Sequence, residues 1–283
     1  MRTPTILTVL ILIVAVGLVA GCDRPQTVQA TPRGGFSRVM ATGELRCGYQ
    51  YWESGLMKDD ATGKLTGLMV EIAEQMATNT KLKIVWVGPI EWGNIPTELA
   101  NGKIDAFCAG TWMDGRRSAF MLMTTPVAYN GLEAFVRGND TRFDQNFTRL
   151  DRPDVRLAVL ENTAVGNLSV RLLPHATPYA LPASGTDMDA LLTVGTGKAD
   201  IAFDAPGIAS SYMKNNPGQI KRLRPDHPYA LMGTVLTVGA DDFRLLHVLN
   251  TSLAELRNTG FLQAAIHRAN ERIPGAFVED HAP

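Results

Sequence analysis

Much of the vocabulary of metal, nucleotide and nucleic-acid chemistry is missing from this sequence. Three cysteines in 283 residues are too few for a disulfide-built scaffold. Five histidines, no two at metal-ligand spacing, argue against a zinc enzyme. Neither a GxxxxGK(S/T) loop nor a GxGxxG turn occurs, so no motif is present to cradle a nucleotide's phosphates. Lys and Arg number 27 against 28 Asp and Glu, a formal charge of −1 with no basic stripe, which excludes the electrostatic footprint of a nucleic-acid binder. No metal and no cofactor is required by any motif.

What is present is a globular composition. Hydrophobic residues make up 45%, enough for one large core or two smaller ones at this length. The chain opens on one positive charge, Arg2, then a short apolar run from Thr5 to Ala20, then small residues and Cys22. This order reads as a secretory signal over residues 1–21. The run is shorter than the ~20 residues a membrane span needs and lacks a basic stop-transfer flank. The segment Val19-Ala20-Gly21-Cys22 resembles a bacterial lipobox. That implies lipidation of Cys22 as the first mature residue, and a chain held outside the cytoplasm by its anchor. Asp23 resembles the residue that favours inner-membrane retention in enteric bacteria. Residues 22–35, with Pro25, Pro32, Gly34 and Gly35, read as the lipidated cysteine and a flexible tether. Cys47 and Cys108 each sit in an apolar, strand-like stretch and read as two small buried hydrophobes; spacing alone cannot establish a bond between them.

From Glu44 onward, strand-like and helical runs alternate. Strands are expected over 45–49, 81–87 and 104–108, an amphipathic helix over 67–77 and a short Pro-initiated helix over 96–101. Alternation of this kind favours an α/β fold with largely parallel sheets. There is also an internal echo: Gly102-Lys103-Ile104-Asp105-Ala106 recurs as Gly197-Lys198-Ala199-Asp200-Ile201, 95 positions later. In both places a helix stops at Gly and an apolar strand follows an Asp. Two lobes of similar design are the expectation.

Five segments, in order, resemble the family 3 extracellular solute-binding proteins that serve amino-acid ABC importers. They are residues 43–48, residues 63–73, residues 95–106, Arg117 standing nine positions before Pro126, and residues 249–256 with Gly260. The resemblance spans about residues 42–272. It implies a periplasmic-binding-protein type II fold, two α/β lobes each built on a largely parallel sheet flanked by helices. Lobe 1 is expected over 36–128 plus 233–283 and lobe 2 over 129–232. Crossings near 128–131 and 228–232 and hinge closure on a ligand complete the picture.

The same resemblance implies roles for individual residues. Arg117 takes the place of the arginine that clamps a ligand's α-carboxylate, its planar fork giving two parallel charge-assisted bonds. Asp204, in Asp204-Ala205-Pro206, takes the place of the acid that accepts the ligand's ammonium, although it lies one residue closer to Asp200 than the family pattern has it. A helix N-cap is the alternative for Asp204. Thr163 stands at a helix start suited to an anion, where plain capping serves equally. Trp92 and Trp52 are candidates to face the cleft, beside Tyr49 and Tyr51, with core packing as the alternative. The chain departs from the family at Gly110-Thr111-Trp112: Trp112 replaces a hydroxyl donor, leaving Thr111 and backbone N–H groups. Glu53 in the opening loop brings a negative charge towards the cleft.

The leading expectation is a monomeric, lipid-anchored extracytoplasmic receptor, not an enzyme. It captures a small polar solute, an amino acid by default or an organic acid, for the membrane subunits of an ABC importer. Two alternatives remain: a cyclohexadienyl-type dehydratase with Glu53 as general acid, and an accessory or sensory binding protein that has lost the usual pocket.

Overall fold

The computed structural model describes residues 35–53, 55–144, 146–224, 227–273 and 275–278, all within one compact unit of the chain, Pro32–Pro283. The signal, the lipobox with Cys22 and the tether up to residue 34 lie outside the described residues. Gly35, read above as the end of the tether, instead opens helix α1 (Gly35–Thr42). The Phe36 N–H donates to the Asp242 carboxylate at 2.9 Å, which ties this helix down.

The first half of the chain then runs β1 (Glu44–Gly48), a small hairpin of β2 (Met57–Lys58) and β3 (Leu65–Thr66), α2 (Leu68–Thr80), β4 (Lys83–Val87), α3 (Ile95–Ala100), β5 (Ala106–Trp112) and β6 (Met121–Met123). Helix α2 forms because Leu68, Met69, Ile72, Ala73 and Met76 bury one face. Gly67 before it has φ 120°, and a Cβ there would meet the Gly55 carbonyl oxygen at 2.4 Å, so only glycine fits. Strand β7 (Ala128–Arg137) leaves this region. It is followed by β8 (Arg156–Leu160), α4 (Ala164–Leu172), β9 (Thr177–Leu181), α5 (Asp187–Gly195), β10 (Ile201–Asp204), α6 (Pro206–Asn215) and β11 (Ile220–Arg222). Strand β12 (Ala230–Gly239) returns, and α7 (Phe243–Asn258) and α8 (Phe261–Arg272) pack on the first region.

One path of strands runs β4-β1-β5-β12-β7-β10-β8-β9. Its left half and right half are alike: β4-β1-β5 are parallel with antiparallel β12 beside them, and β9-β8-β10 are parallel with antiparallel β7 beside them. Strands β12 and β7 pair with each other from Ala230↔Leu132 to Thr234↔Ala128, and this two-stranded ribbon is where the halves, called lobe 1 and lobe 2 below, join. Apolar residues cover both faces of each sheet, as buried parallel strands require.

One expectation is overturned here. Cys47 and Cys108 are bonded to each other, with Cα atoms 5.3 Å apart. The reason is register: β1 pairs with β5 at Cys47↔Ala106, so Cys108 lies just beyond Cys47 on the adjacent strand. Strand β5 also starts two residues later than expected and runs on to Trp112, which carries its end into the space between the lobes.

Candidate functional site

The ends of β5 and β10, the starts of α4, α5 and α6, and the turn at Trp92 converge on one cavity between the lobes. Its interior volume is about 60 Å³ open to water-sized groups, room for a short ligand. Lobe 1 contributes Trp52, Trp92, Gly110, Thr111, Trp112 and Arg117, and Thr234 comes from β12. Gly110 has φ +80°, and a Cβ there would meet Thr234 Cγ2 at 2.6 Å, so the strand can pass this wall only as glycine.

Arg117 sits in the turn after β5, 4% exposed. Its Nη1 donates to Thr111 Oγ1 at 3.0 Å and its Nη2 to the Trp92 carbonyl at 2.9 Å. Its Nε is buried with no partner among the described residues. Burial pulls its pKa down to about 10, which Asp114 partly offsets, so it stays charged at neutral pH. A buried, charged donor edge left unpaired is costly, and an acceptor on a ligand would relieve it.

Two of the indoles have spent their polar edges elsewhere: Trp52 Nε1 donates to the Ala109 carbonyl at 2.7 Å and Trp112 Nε1 to Asn130 Oδ1 at 3.3 Å. Trp92 meets Phe107 edge to face, centroids 5.7 Å apart. These three rings give the cavity an apolar wall with few places for water.

Lobe 2 supplies the opposite wall: Thr163, Ala164 and Val165 at the start of α4, Asp187 at the start of α5, and Asp204, Ala205 and Ile208 around the start of α6. The Thr163 hydroxyl accepts the Gly166 N–H at 3.0 Å and donates to the Leu160 carbonyl at 2.8 Å, so it is spent as a helix cap. Asp204 is 3% exposed and ends β10. Among the described residues its Oδ1 accepts only the adjacent Ala205 N–H, at 2.7 Å, and the N-cap position of α6 belongs to Ala205. Burial raises its pKa well above the usual carboxylate range, the charge of Asp187 adds to that, and the Ala205 N–H opposes it.

Sequence analysis singles out Asp204 on this wall and not Asp187. Burial pushes Asp187 up to about 6, the Trp92 indole N–H works against that, and Glu91 and Asp189 add to it. In the sequence it is hidden inside Thr186-Asp187-Met188-Asp189, which reads as a capping box and does form one between Thr186 and Asp189. Glu53, Tyr49 and Tyr51 do not line the cavity. Glu53 therefore brings its charge elsewhere, and Tyr49 and Tyr51 pack against each other, centroids 5.4 Å apart.

The lobes touch around the cavity. Asn167 on α4 donates to the Asp114 carboxylate of lobe 1, Arg116 Nη1 reaches Asn167 Oδ1 at 3.4 Å, and Arg171 stands 3.9 Å from Asp114. On another side, a Cβ at Gly93 would meet Ala183 Cβ at 2.7 Å. This is the closed arrangement of a cleft. Among the described residues no group of three or more His, Cys, Asp or Glu could hold a metal ion.

Two α/β lobes joined by a pair of strands and shut on a small cavity, with an arginine on one wall and carboxylates on the other, have the build of a type II periplasmic binding protein. The sequence agrees: the profile of the bacterial extracellular solute-binding proteins, family 3, matches residues 45–269, and the chain belongs to that family. Its members are extracytoplasmic solute-binding proteins that work with ABC transporters. No curated protein sequence matches the chain. Among solved structures, an ancestral amino-acid-binding protein described as a precursor of cyclohexadienyl dehydratase is similar at TM-score 0.67 and 22% identity, over 83% of this chain and 98% of that one. A binding component of an ABC transporter from Wolinella succinogenes, complexed with lysine, gives 0.65 and 23%, over 80% and 95%. An amino-acid ABC transporter substrate-binding protein from Streptococcus pneumoniae, bound to L-arginine, gives 0.67 and 16%, over 86% and 100%. At these identities the likeness is one of fold.

Proposed function

We propose that this protein captures a small α-amino acid in the closed cleft and delivers it to an ABC importer, working as a monomer held to the membrane by lipid on Cys22. The reading rests above all on Arg117 and Asp204 lining one small cavity from opposite lobes. A zwitterion offers a carboxylate to the unpaired Nε edge of Arg117 and an ammonium to Asp204, satisfying both buried groups at once. The disulfide supports an oxidising compartment. Among the described residues no helix is long and apolar enough to cross a membrane, and the anchor assigned to Cys22 needs none. A thermal-shift panel of the L-amino acids and simple organic acids tests the reading, because a ligand that binds only the folded state must raise apparent stability. Stabilisation by one or a few amino acids is expected; a response to organic acids alone would overturn it. For the anchor, Cys22→Ser should release protein from the membrane fraction or leave an uncleaved precursor. A mature N-terminus elsewhere, with no acyl mass on Cys22, would contradict it.

One observation favours a second reading. Asp204 and Asp187 are carboxyls with raised proton affinity in an apolar cavity that also holds Arg117, which is what a general acid working on a carboxylate substrate requires. The acid would be one of these and not Glu53, which does not line the cavity. Turnover of prephenate or arogenate, lost in Asp204→Asn or Asp187→Asn, would decide for a dehydratase.

A further inference from the structure

The lobe-2 wall holds more negative charge than a zwitterion can balance. Arg117 matches a ligand carboxylate and Asp204 matches an α-ammonium, and Asp187 is left over beside them on the same cavity. Among the described residues, every other charge that faces this corner is occupied or of the same sign. On its own helix, Asp189 accepts the Thr186 N–H at 2.8 Å in the capping box. From lobe 1, Glu91 accepts from Gln50 Nε2 at 2.9 Å, and Asp114 is held by Asn167. Glu133, directly across from Asp204 on β7, is paired with Arg222 at 3.1 Å. Among the described residues Arg117 is the one cationic residue lining the cavity, and both its Nη groups are held by lobe-1 acceptors. Among the described residues no ion pair reaches Asp187 or Asp204.

We propose, building on the amino-acid reading above, that Asp187 is a specificity-determining residue that admits a second cationic group on the ligand, beside the α-ammonium, and holds a proton when the ligand offers none. Two carboxylates facing one small apolar cavity resist being ionised together without a counter-charge. A plain zwitterion leaves Asp187 to its proton. A ligand with a short cationic side chain replaces that proton, and the charges in the closed cavity then sum to zero. The small interior calls for a short side chain. The raised proton affinity of the two carboxyls agrees with this geometry.

Proton and second cation compete for Asp187, so preference for the dicationic ligand rises with pH. The expected rise is up to about tenfold per unit while the proton is held, levelling off once it has left. The probes are L-2,4-diaminobutyrate and L-norvaline, which differ by an ammonium in place of a methyl. Their affinities are measured by calorimetry from pH 5 to 8, in two buffers of different ionisation enthalpy. We expect diaminobutyrate to gain on norvaline as pH rises and, at the acid end of this range, to release close to one proton more on binding than norvaline does. Asp187→Asn should flatten the pH dependence and remove the extra proton release that accompanies diaminobutyrate. Asp189→Asn, which weakens the helix cap but not the cavity, should keep the wild-type pattern and so separates selectivity from helix stability. A binder that shows no pH-dependent preference, or releases no more protons with diaminobutyrate than with norvaline at any pH in this range, overturns this proposal and leaves the amino-acid reading standing. Failure of both probes and of all twenty L-amino acids to bind at any of these pH values overturns both.

Discussion

The two lobes carry the same anchor at one end of their sheets and opposite charges at the other. In lobe 1 the buried Asp105 accepts the Arg46 N–H at 2.8 Å, and its own N–H donates back to the Arg46 carbonyl at 2.9 Å. In lobe 2 the buried Asp200 accepts the Arg156 N–H at 2.9 Å and donates back to the Arg156 carbonyl at 2.8 Å. Each aspartate draws in more arginine, Arg38 in the first case and both Arg142 and Arg137 in the second. The internal echo in the sequence is this device built twice, fixing a parallel strand to its neighbour just after a helix ends. Above the anchor the lobes diverge. Lobe 1 ties β1 to β5 with Cys47–Cys108, where the corresponding positions of lobe 2 hold Leu157 and Phe203 in one apolar cluster. At the cavity, lobe 1 presents Arg117 and lobe 2 presents Asp187 and Asp204. The scaffold is free to repeat because it only has to hold strands; under the proposed function the cavity walls differ because each meets a different end of one ligand.

The largest way to break the likeness is to cut the disulfide. It closes a loop of sequence separation 61, and loop-closure entropy puts its contribution at about 4 kcal/mol. Reduction, or Cys47→Ala with Cys108→Ala, should lower the unfolding free energy by that much, read as a drop in the denaturant midpoint. Amide exchange should quicken in β1 and β5 and stay slow in β8 and β10. Equal loosening of both lobes would mean that they unfold as one body whatever joins the strands.

Somewhat smaller is the loss of an anchor. Breaking a buried ion pair costs about 3–5 kcal/mol, and the lower end applies because the arginines remain 25–44% exposed. Asp105→Ala and Asp200→Ala should therefore cost about 3 kcal/mol each, read by urea unfolding, if the echo is energetic as well as geometric. Burial pushes both carboxyls up, but hydrogen bonds from Arg46 and Arg38, and from Arg156 and Arg142, win and hold them below their usual range. Their stabilisation is thus present above the unfolded carboxylate range near pH ~4 and lost as pH falls through the lowered folded values. Asp200→Asn should show a shallower acid loss than wild type.

The smallest effect has the opposite sign. Asp187 and Asp204 bind protons more tightly folded than unfolded, so between about pH 4 and their raised folded values stability falls as pH rises. In the ligand-free protein Asp204→Asn should raise the melting temperature at pH 7, by a few degrees at most, and leave it unchanged at pH 4. No gain at pH 7 would mean that the pair is not strained in the empty cavity.

Much of this fold was legible because it is written in local patterns. Helix α2 shows its buried face as Leu68, Ile72 and Met76, and Gly102 and Gly197 mark helix ends before strands. Less of the cavity was legible. Arg117 and Asp204 could be singled out by their place in motifs, and Trp52, Trp92, Thr111, Trp112 and Thr163 also line the cavity. Thr163, however, spends its hydroxyl as a cap, and Glu53 is elsewhere. Asp187 was hidden because Thr-x-x-Asp has a sufficient local explanation in helix capping, and nothing local says that one member also borders a cleft. The disulfide was missed for a related reason: it depends on the register between β1 and β5, a long-range fact that the spacing of Cys47 and Cys108 does not contain.

If the lobes divide a ligand's two charges between them, crossed calorimetry will show it. The amino acid that stabilises the protein is compared with its deaminated twin and its carboxamide, on wild type, Arg117→Ala and Asp204→Asn. Removing one partner of a buried, hydrogen-bonded charge pair costs about 2–5 kcal/mol, roughly 30-fold to several thousand-fold in affinity. Arg117→Ala should therefore weaken the amino acid by that factor yet no longer distinguish it from the carboxamide. Asp204→Asn should weaken it too and no longer distinguish it from the deaminated twin. If each variant still discriminates against the analogue that lacks its own partner group as strongly as wild type does, the two walls do not read the two ends of the ligand.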